Sequence, residues 1–394
     1  MDEPAGRRSR RDGVRRLFVD TTPLRAHHDY RLLWTGQVVS GMGNQITRIA
    51  LPYQVYVMTG SVAAIGLLTI VQLIPILIFS LGGGAVADAV DRRRVLIVTQ
   101  LGMATCSIVL VWLALQPAPP LWAILVVAFA AAGIGSVDQP ARSSSIPRLV
   151  SAEHLPSAIA LNQLNFQAAS IVGPAIGGVL IATVGLAGAY AVDTVSFGAS
   201  LLALALIAPI PPIGAVVRPG LTAIREGLRF AARRRIILST FAIDLVAMIF
   251  GMPTALFPPI ALDVFGVGAV GVGLMAAAPG VGAFLGAVLS GWVRRVEHPG
   301  RAVVWAVVVW GLAIAGFGLA TFSFPLALAL LAVAGAADML SAVFRSTIVQ
   351  LATPDELRGR VTSIHMLVVT SGPRLGDVES ATVAAIAGTQ FAVV

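Results

Sequence analysis

Eleven runs of mostly apolar sequence follow one another with little between them, and each is long enough for a helix that crosses a bilayer, which takes about 20 residues. They lie at 32–58, 62–87, 95–116, 120–141, 156–184, 187–208, 236–262, 269–293, 302–320, 325–344 and 361–386, and are numbered as spans 1 to 11. A twelfth only begins at 388–394 and would stop about 15 residues short of a full span, so the last helix is expected to be truncated. Hydrophobic residues make up 57% of the chain and charged ones 12%, about half the charged share of a soluble domain. A water-soluble globular fold is therefore excluded, and an all-α polytopic membrane protein is expected. One cysteine, Cys106, and five scattered histidines give neither a disulfide framework nor metal-ligand spacing, so no metal site is expected.

The basic residues add an orientation. All 27 are arginine, and the net charge is +8. They fall in short clusters between spans, which fits a membrane surface and gives no reason to expect nucleic acid as a partner. Connections after spans 2, 4, 6, 8 and 10 carry Arg92 to Arg94, then Arg142 and Arg148, then Arg218 through Arg235, then Arg294, Arg295 and Arg301, then Arg345, Arg358 and Arg360. Connections after spans 1, 3, 5, 7 and 9 carry none. The positive-inside rule then places the N-terminus and every Arg-bearing loop in the cytoplasm, and the Arg-only, Ala/Val/Gly-heavy composition, as of a GC-rich genome, makes a bacterial inner (plasma) membrane the expected location. Residues 1–31 form an Arg-rich arm suited to anionic lipid.

The chain also repeats itself after about 200 residues. Ser170 to Gly177 matches Val369 to Gly376, with Gly173-Pro174 over Gly372-Pro373, and Arg142-Ser143 matches Arg345-Ser346. The expected organisation is a six-helix bundle over 32–208, a cytoplasmic linker over 209–235 with an amphipathic helix near Leu221 to Phe230, and a second bundle over 236–394. Both copies start on the same side, so two pseudo-symmetric halves that rock about a central site are expected.

Two motifs sharpen this. Gly83-Gly84-Ala85-Val86-Ala87-Asp88-Ala89-Val90-Asp91-Arg92-Arg93-Arg94 resembles the loop motif of the major facilitator superfamily, and Gly173-Pro174-Ala175-Ile176-Gly177-Gly178 is similar to its antiporter motif. Thr59-Gly60-Ser61, Asp138-Gln139-Pro140-Ala141-Arg142 and Ala189-Tyr190-Ala191-Val192-Asp193 resemble the branch of enterobactin-type exporters and macrolide or multidrug efflux proteins. The resemblance implies a cavity lined by spans 1, 4, 7 and 10. It makes Asp88 a latch that faces the start of span 11, near Gly359–Thr362, when the inner side is closed. Gly83 and Gly84 let helix backbones approach. Arg142 is placed to clamp Asp88 or to pair with Asp138. Asp91, Arg92 and Arg94 complete the motif, with topology anchoring as their plain alternative. Pro174 is expected to break span 5, whose glycines Gly173, Gly177 and Gly178 leave a groove for the other half.

Charges within spans are costly and mark pathways. Asn44 and Arg48 in span 1, Asp244 in span 7, Asp338 in span 10, and Arg374, Asp377 and Glu379 in span 11 are the candidates. Arg374 and Asp377 are i,i+3 neighbours expected to pair. Glu379 lacks such a neighbour and is the expected proton carrier. Asp193 and Asp263, near span ends, are expected at the solvated interface. No phosphate-binding Gly-rich loop with lysine occurs, so no nucleotide-driven pump, enzyme activity or cofactor is expected. The chain reads as a monomeric secondary transporter, exporting a small amphiphilic drug or siderophore-like compound against a proton gradient. An importer on the same fold, or a membrane protein that binds a ligand or partner without transport, are the alternatives.

Overall fold

The computed structural model describes residues 20–211, 229–251 and 253–393, and helices dominate them. The expected linker helix and the N-terminal arm fall largely outside these residues. Span 1 is His28–Thr59, span 2 Val62–Ala89, span 3 Arg92–Ala114 and span 4 Leu121–Leu149. Spans 5 and 6 form a single 52-residue helix, Leu155–Leu206. Span 7 begins as Arg235–Gly251, and spans 8, 9, 10 and 11 are Gly268–Val288, Pro299–Leu319, Phe324–Ala352 and Asp355–Ala387. A short helix, Thr389–Val393, follows.

Among the described residues, eight helices are both long and apolar enough to cross a membrane, one of them being the double-length Leu155–Leu206. Spans 1 and 11 are not among the eight, although they run for 32 and 33 residues. Their length is sufficient; their apolarity is diluted by Ser40, Asn44, Gln45, Arg48 and Gln54 in one, and by Arg374, Asp377 and Glu379 in the other. Large apolar residues exposed along the spans include Val98, Trp112, Val195, Leu202, Phe250, Trp305 and Leu312. That is the outward apolar belt a bilayer requires.

Pro174 does not break span 5, contrary to expectation. The only non-helical residue within Leu155–Leu206 is Gly185, at φ 75° and ψ 179°, where the chain turns from span 5 into span 6. Only glycine takes that backbone conformation without strain. The break the sequence reading missed is in span 7. After Gly251 the helix stops, Pro253 intervenes, and the chain resumes through a 3₁₀ turn, Thr254–Leu256, a short helix, Phe257–Pro259, and a π turn, Ile260–Val264. Three prolines, at 253, 258 and 259, remove successive backbone donors there.

The core shows how the halves meet. One apolar cluster runs across both halves at the Arg-free end, joining Ile46, Val55, Ile65, Leu113 and Tyr190 to Leu256, Met275, Phe317 and Leu331. At the Arg-bearing end the clusters stay within one half: Leu33, Leu96 and Leu204, and separately Tyr30 and Leu161, in the first, and Ile237, Phe241 and Val361 in the second. Among the described residues, the two halves thus share a core at one face and keep separate clusters at the other.

Candidate functional site

The fused face depends on close backbone approach. A Cβ on Gly178 would lie 2.6 Å from the Ala269 carbonyl oxygen of span 8, and one on Gly273 would lie 2.5 Å from that of Pro174. A Cβ on Gly66 of span 2 would meet Ala381 of span 11 at 2.7 Å. Nearby, the Tyr56 hydroxyl donates to the Asp263 carboxylate, a hydrogen bond between the halves. Asp263 is exposed, while Tyr56 brings its partner from span 1.

The repeated glycines reveal equivalent positions. Gly173 and Gly177 press on Gln45 and Ile46 of span 1, at 2.5 Å and 3.2 Å from a notional Cβ. Their repeat partners Gly372 and Gly376 press on Met248 of span 7, at 2.9 Å from its Cβ and 2.2 Å from its carbonyl oxygen. Span 7 therefore plays to span 11 the part that span 1 plays to span 5.

Below the fused face, the first half holds a cavity of ≈ 170 Å³ with a mixed polar and apolar lining, bordered by Gln37, Gly41, Asn44, Gly135, Asn165 and Phe166 among others. Asn44 and Arg48 are one helical turn apart and both reach open space. Arg48 Nη1 donates to Gln45 at 3.1 Å. At the cavity edge Asp138 is fully engaged: it accepts from Thr99 (2.7 Å), Gln100 (3.1 Å) and Arg142 Nε (3.2 Å). Arg142 takes the second of its two expected partners, and its side chain is buried. It lies inside span 4, not in a loop, because the helix continues to Leu149.

Arg345, its repeat partner, is likewise no loop anchor. It is buried within span 10, which continues to Ala352. Its Nη1 lies 2.8 Å from Asp244 Oδ1 of span 7, and its Nη2 donates to Asp338 Oδ1 at 3.4 Å. His365 of span 11 places Nε2 4.0 Å from Asp244 Oδ2 and stacks on Phe241 at 5.6 Å. Two carboxylates, a guanidinium and an imidazole thus meet in the second half.

Arg374 and Asp377 do not form the expected ion pair. Asp377 turns instead to the broken segment of span 7, where it accepts from the Thr254 hydroxyl and, at 2.9 Å, from the Ala255 backbone N–H. A helix restarting after a proline presents unsatisfied N–H groups, and a carboxylate on the neighbouring span caps one. Arg48 and Arg374 lie within electrostatic range of Asp377, and Arg374 keeps a buried Nη1 without a hydrogen-bond partner. Glu379 is half-buried, with a long 3.5 Å contact from Ser380.

Asp193 corrects another expectation. It is buried, not interfacial, and accepts from Thr47 (2.6 Å) and Ser107 (2.7 Å) on spans 1 and 3. Of the loop motif, Gly83, Gly84 and Asp88 fall on the last turns of span 2, and their side chains lie outside the described residues. Asp91 caps span 3 through the Arg93 N–H at 2.9 Å and also accepts from the Ile210 N–H at 3.2 Å. Arg92 is buried and Arg94 exposed. Arg93 donates to the Leu204 and Ala205 carbonyls at 2.9 Å and 2.7 Å, closing the C-terminus of span 6. The loop motif therefore ties the start of span 3 to the end of span 6.

The sequence profile of the transmembrane secretion effectors matches residues 20–394. The chain belongs to this family of major facilitator transporters. It is 28% identical over 368 residues to the enterobactin exporter EntS of Citrobacter koseri, covering 91% of this chain and 86% of that one, and 27% identical to EntS of Escherichia coli O127:H6 over the same shares. The fold is similar to a nucleoside transporter, NupG, at TM-score 0.74 and 13% identity, covering 92% of this chain and 95% of that one. It is also similar to a bacterial homologue of the lysosomal transporter Spinster in an inward-facing, unoccupied conformation, at TM-score 0.72 and 17% identity, covering 93% and 84%. The family and relatives are transporters, not enzymes, and a multi-pass membrane protein acting on a small molecule follows.

Proposed function

We propose that this chain exports a small amphiphilic molecule from the bacterial cytoplasm in exchange for protons, working as a single unit. The observation that carries the reading is that, among the described residues, the core joins both halves at the Arg-free face and divides at the Arg-bearing face. With arginine-bearing loops in the cytoplasm, that is a carrier open for loading from within. Amide side chains of Gln37, Asn44 and Asn165 beside the Phe166 and Phe197 rings give the cavity both hydrogen-bonding and apolar contacts, which suits an amphiphile. The exporter relatives support the direction. Each proton moving down 100 mV yields about 2.3 kcal/mol, enough for a modest substrate gradient without a bound nucleotide.

Inverted membrane vesicles with an acidic lumen, offered enterobactin as probe, should accumulate it, and collapsing the gradient should release it. Gradient-driven loss from preloaded vesicles would mark an importer; binding without movement under any gradient would mark a non-transporting protein. Orientation is checked separately: reporters fused after Arg94, Arg235 and Arg301 should read cytoplasmic, and one after Gln116 external.

A further inference from the structure

The cluster in the second half occupies the position that is a cavity in the first. Register can be carried from the matched pairs of the repeat. One turn back from Gln45 and Met248, Gly41 stands opposite Asp244. Two turns back from Arg142 and Arg345, Gly135 stands opposite Asp338. Two turns back from Gly173 and Gly372, Phe166 stands opposite His365. Gly41, Gly135 and Phe166 all border the cavity of the first half. Three cavity-lining positions without charge thus become, in the second half, two carboxylates and an imidazole around Arg345.

The charges of this cluster do not balance. Asp244 and Asp338 face one guanidinium, and with His365 neutral the sum is −1. Among the described side chains the packed neighbours supply no further counter-charge: span 8 has no charged residue, and the one in span 9 is Arg301, at its Arg-bearing end, while Arg358 and Arg360 at the start of span 11 lie outside the described side chains. In a low-dielectric interior, one added proton makes the cluster neutral. The two acids are unequally held. Asp244 is 1% exposed and 2.8 Å from Arg345, whereas Asp338 is 35% exposed and held at 3.4 Å. A proton on Asp338 removes one claim on Arg345 and leaves the buried Asp244–Arg345 ion pair, a 2.8 Å charge contact in which neither Asp244 oxygen is hydrogen-bonded.

We propose that Asp338 is the proton-loading group of this transporter, with Arg345, Asp244 and His365 holding it in a cluster that is neutral when protonated. The proton forms an O–H bond with the Asp338 carboxylate on one side of the membrane and leaves to water on the other. This assignment rests on the proton-coupled reading above, and it places the proton in span 10, not on Glu379.

The test needs no substrate. Infrared titration of the full chain in lipid bilayers should show the carbonyl stretch of a protonated carboxyl that fades as pH rises. Asp338→Asn should abolish this band, while Glu379→Gln and Asp138→Asn retain it. Should Asp338→Asn fail to fold, Asp338→Glu must keep a titrating band at a shifted position, and its absence in the folded protein overturns the assignment. Persistence of the band in Asp338→Asn, its loss in Glu379→Gln, or no titrating band in the unaltered chain would also overturn it. Failure of the proton-coupled reading is a separate result: the band would behave as stated while vesicles ignored the pH gradient.

Discussion

Arg142 and Arg345 sit at matching places in the two halves, yet they do different work. Arg142 faces one carboxylate, Asp138, which also accepts from Thr99 and Gln100. Charge balances, although Arg142 Nη1 and Gln100 Oε1 stay buried without a hydrogen-bond partner. Arg345 is shared by Asp244 and Asp338 with His365 nearby, so charge balances only when a proton joins. The first half keeps open volume where the second keeps ionisable groups. A duplicated bundle can in this way divide labour, one copy offering a binding wall and the other a protonation site.

The sharpest way to break this comparison is to remove each arginine in turn. Arg345→Gln leaves two carboxylates without a cation in the interior and should cost about 3–5 kcal/mol, seen as lost folded protein in a thermal-stability assay. Adding Asp244→Asn to it should restore much of that loss. Arg142→Gln leaves Asp138 with two donors still in place, and the cost should be about 2 kcal/mol. Equal losses for the two arginines would refute the asymmetry.

A smaller effect is expected at the fused face. Gly178→Ala places a methyl within 2.6 Å of the Ala269 carbonyl oxygen, and neither backbone can yield cheaply. About 1–3 kcal/mol of overpacking should loosen the contact of spans 5 and 8. Cysteine-accessibility labelling from the Arg-free side should then increase near Ile171 and Gly280. Unchanged labelling would mean that this crossing does not seal the face.

The smallest effect is expected at Glu379. Glu379→Gln should change stability by no more than about 0.5 kcal/mol, because among the described residues its side chain accepts only the long hydrogen bond from Ser380. A differential-scanning measurement checks this, and a loss of several kcal/mol would show that Glu379 carries a structural pairing.

What the sequence could and could not reveal follows from the kind of interaction involved. Apolar run length exposed the spans, and the Gly-Pro repeat exposed the two halves, because both are written locally. Arg142 and Arg345 read as loop anchors because charge alone marked the ends of their spans; both helices continue past them, and their partners lie on the same or a neighbouring span. Asp193 read as interfacial because its hydroxyl partners, Thr47 and Ser107, come from spans far away in sequence. Arg374 and Asp377 satisfied the helix-neighbour rule, but the free N–H of Ala255 after Pro253 drew the carboxylate away. The prolines at 253, 258 and 259 were visible in the sequence, and a Pro-interrupted span is a sign of an internal break.

We propose that proton coupling resides in the second half alone. Proteoliposomes containing the unaltered chain, Asp338→Asn or Asp138→Asn, offered enterobactin, should be compared for pH-gradient-driven accumulation and for substrate-for-substrate exchange. Asp338→Asn is predicted to lose at least tenfold of the gradient-driven accumulation while keeping exchange, and Asp138→Asn to keep its response to the gradient. A full gradient response in Asp338→Asn, or its selective loss in Asp138→Asn, would contradict the claim.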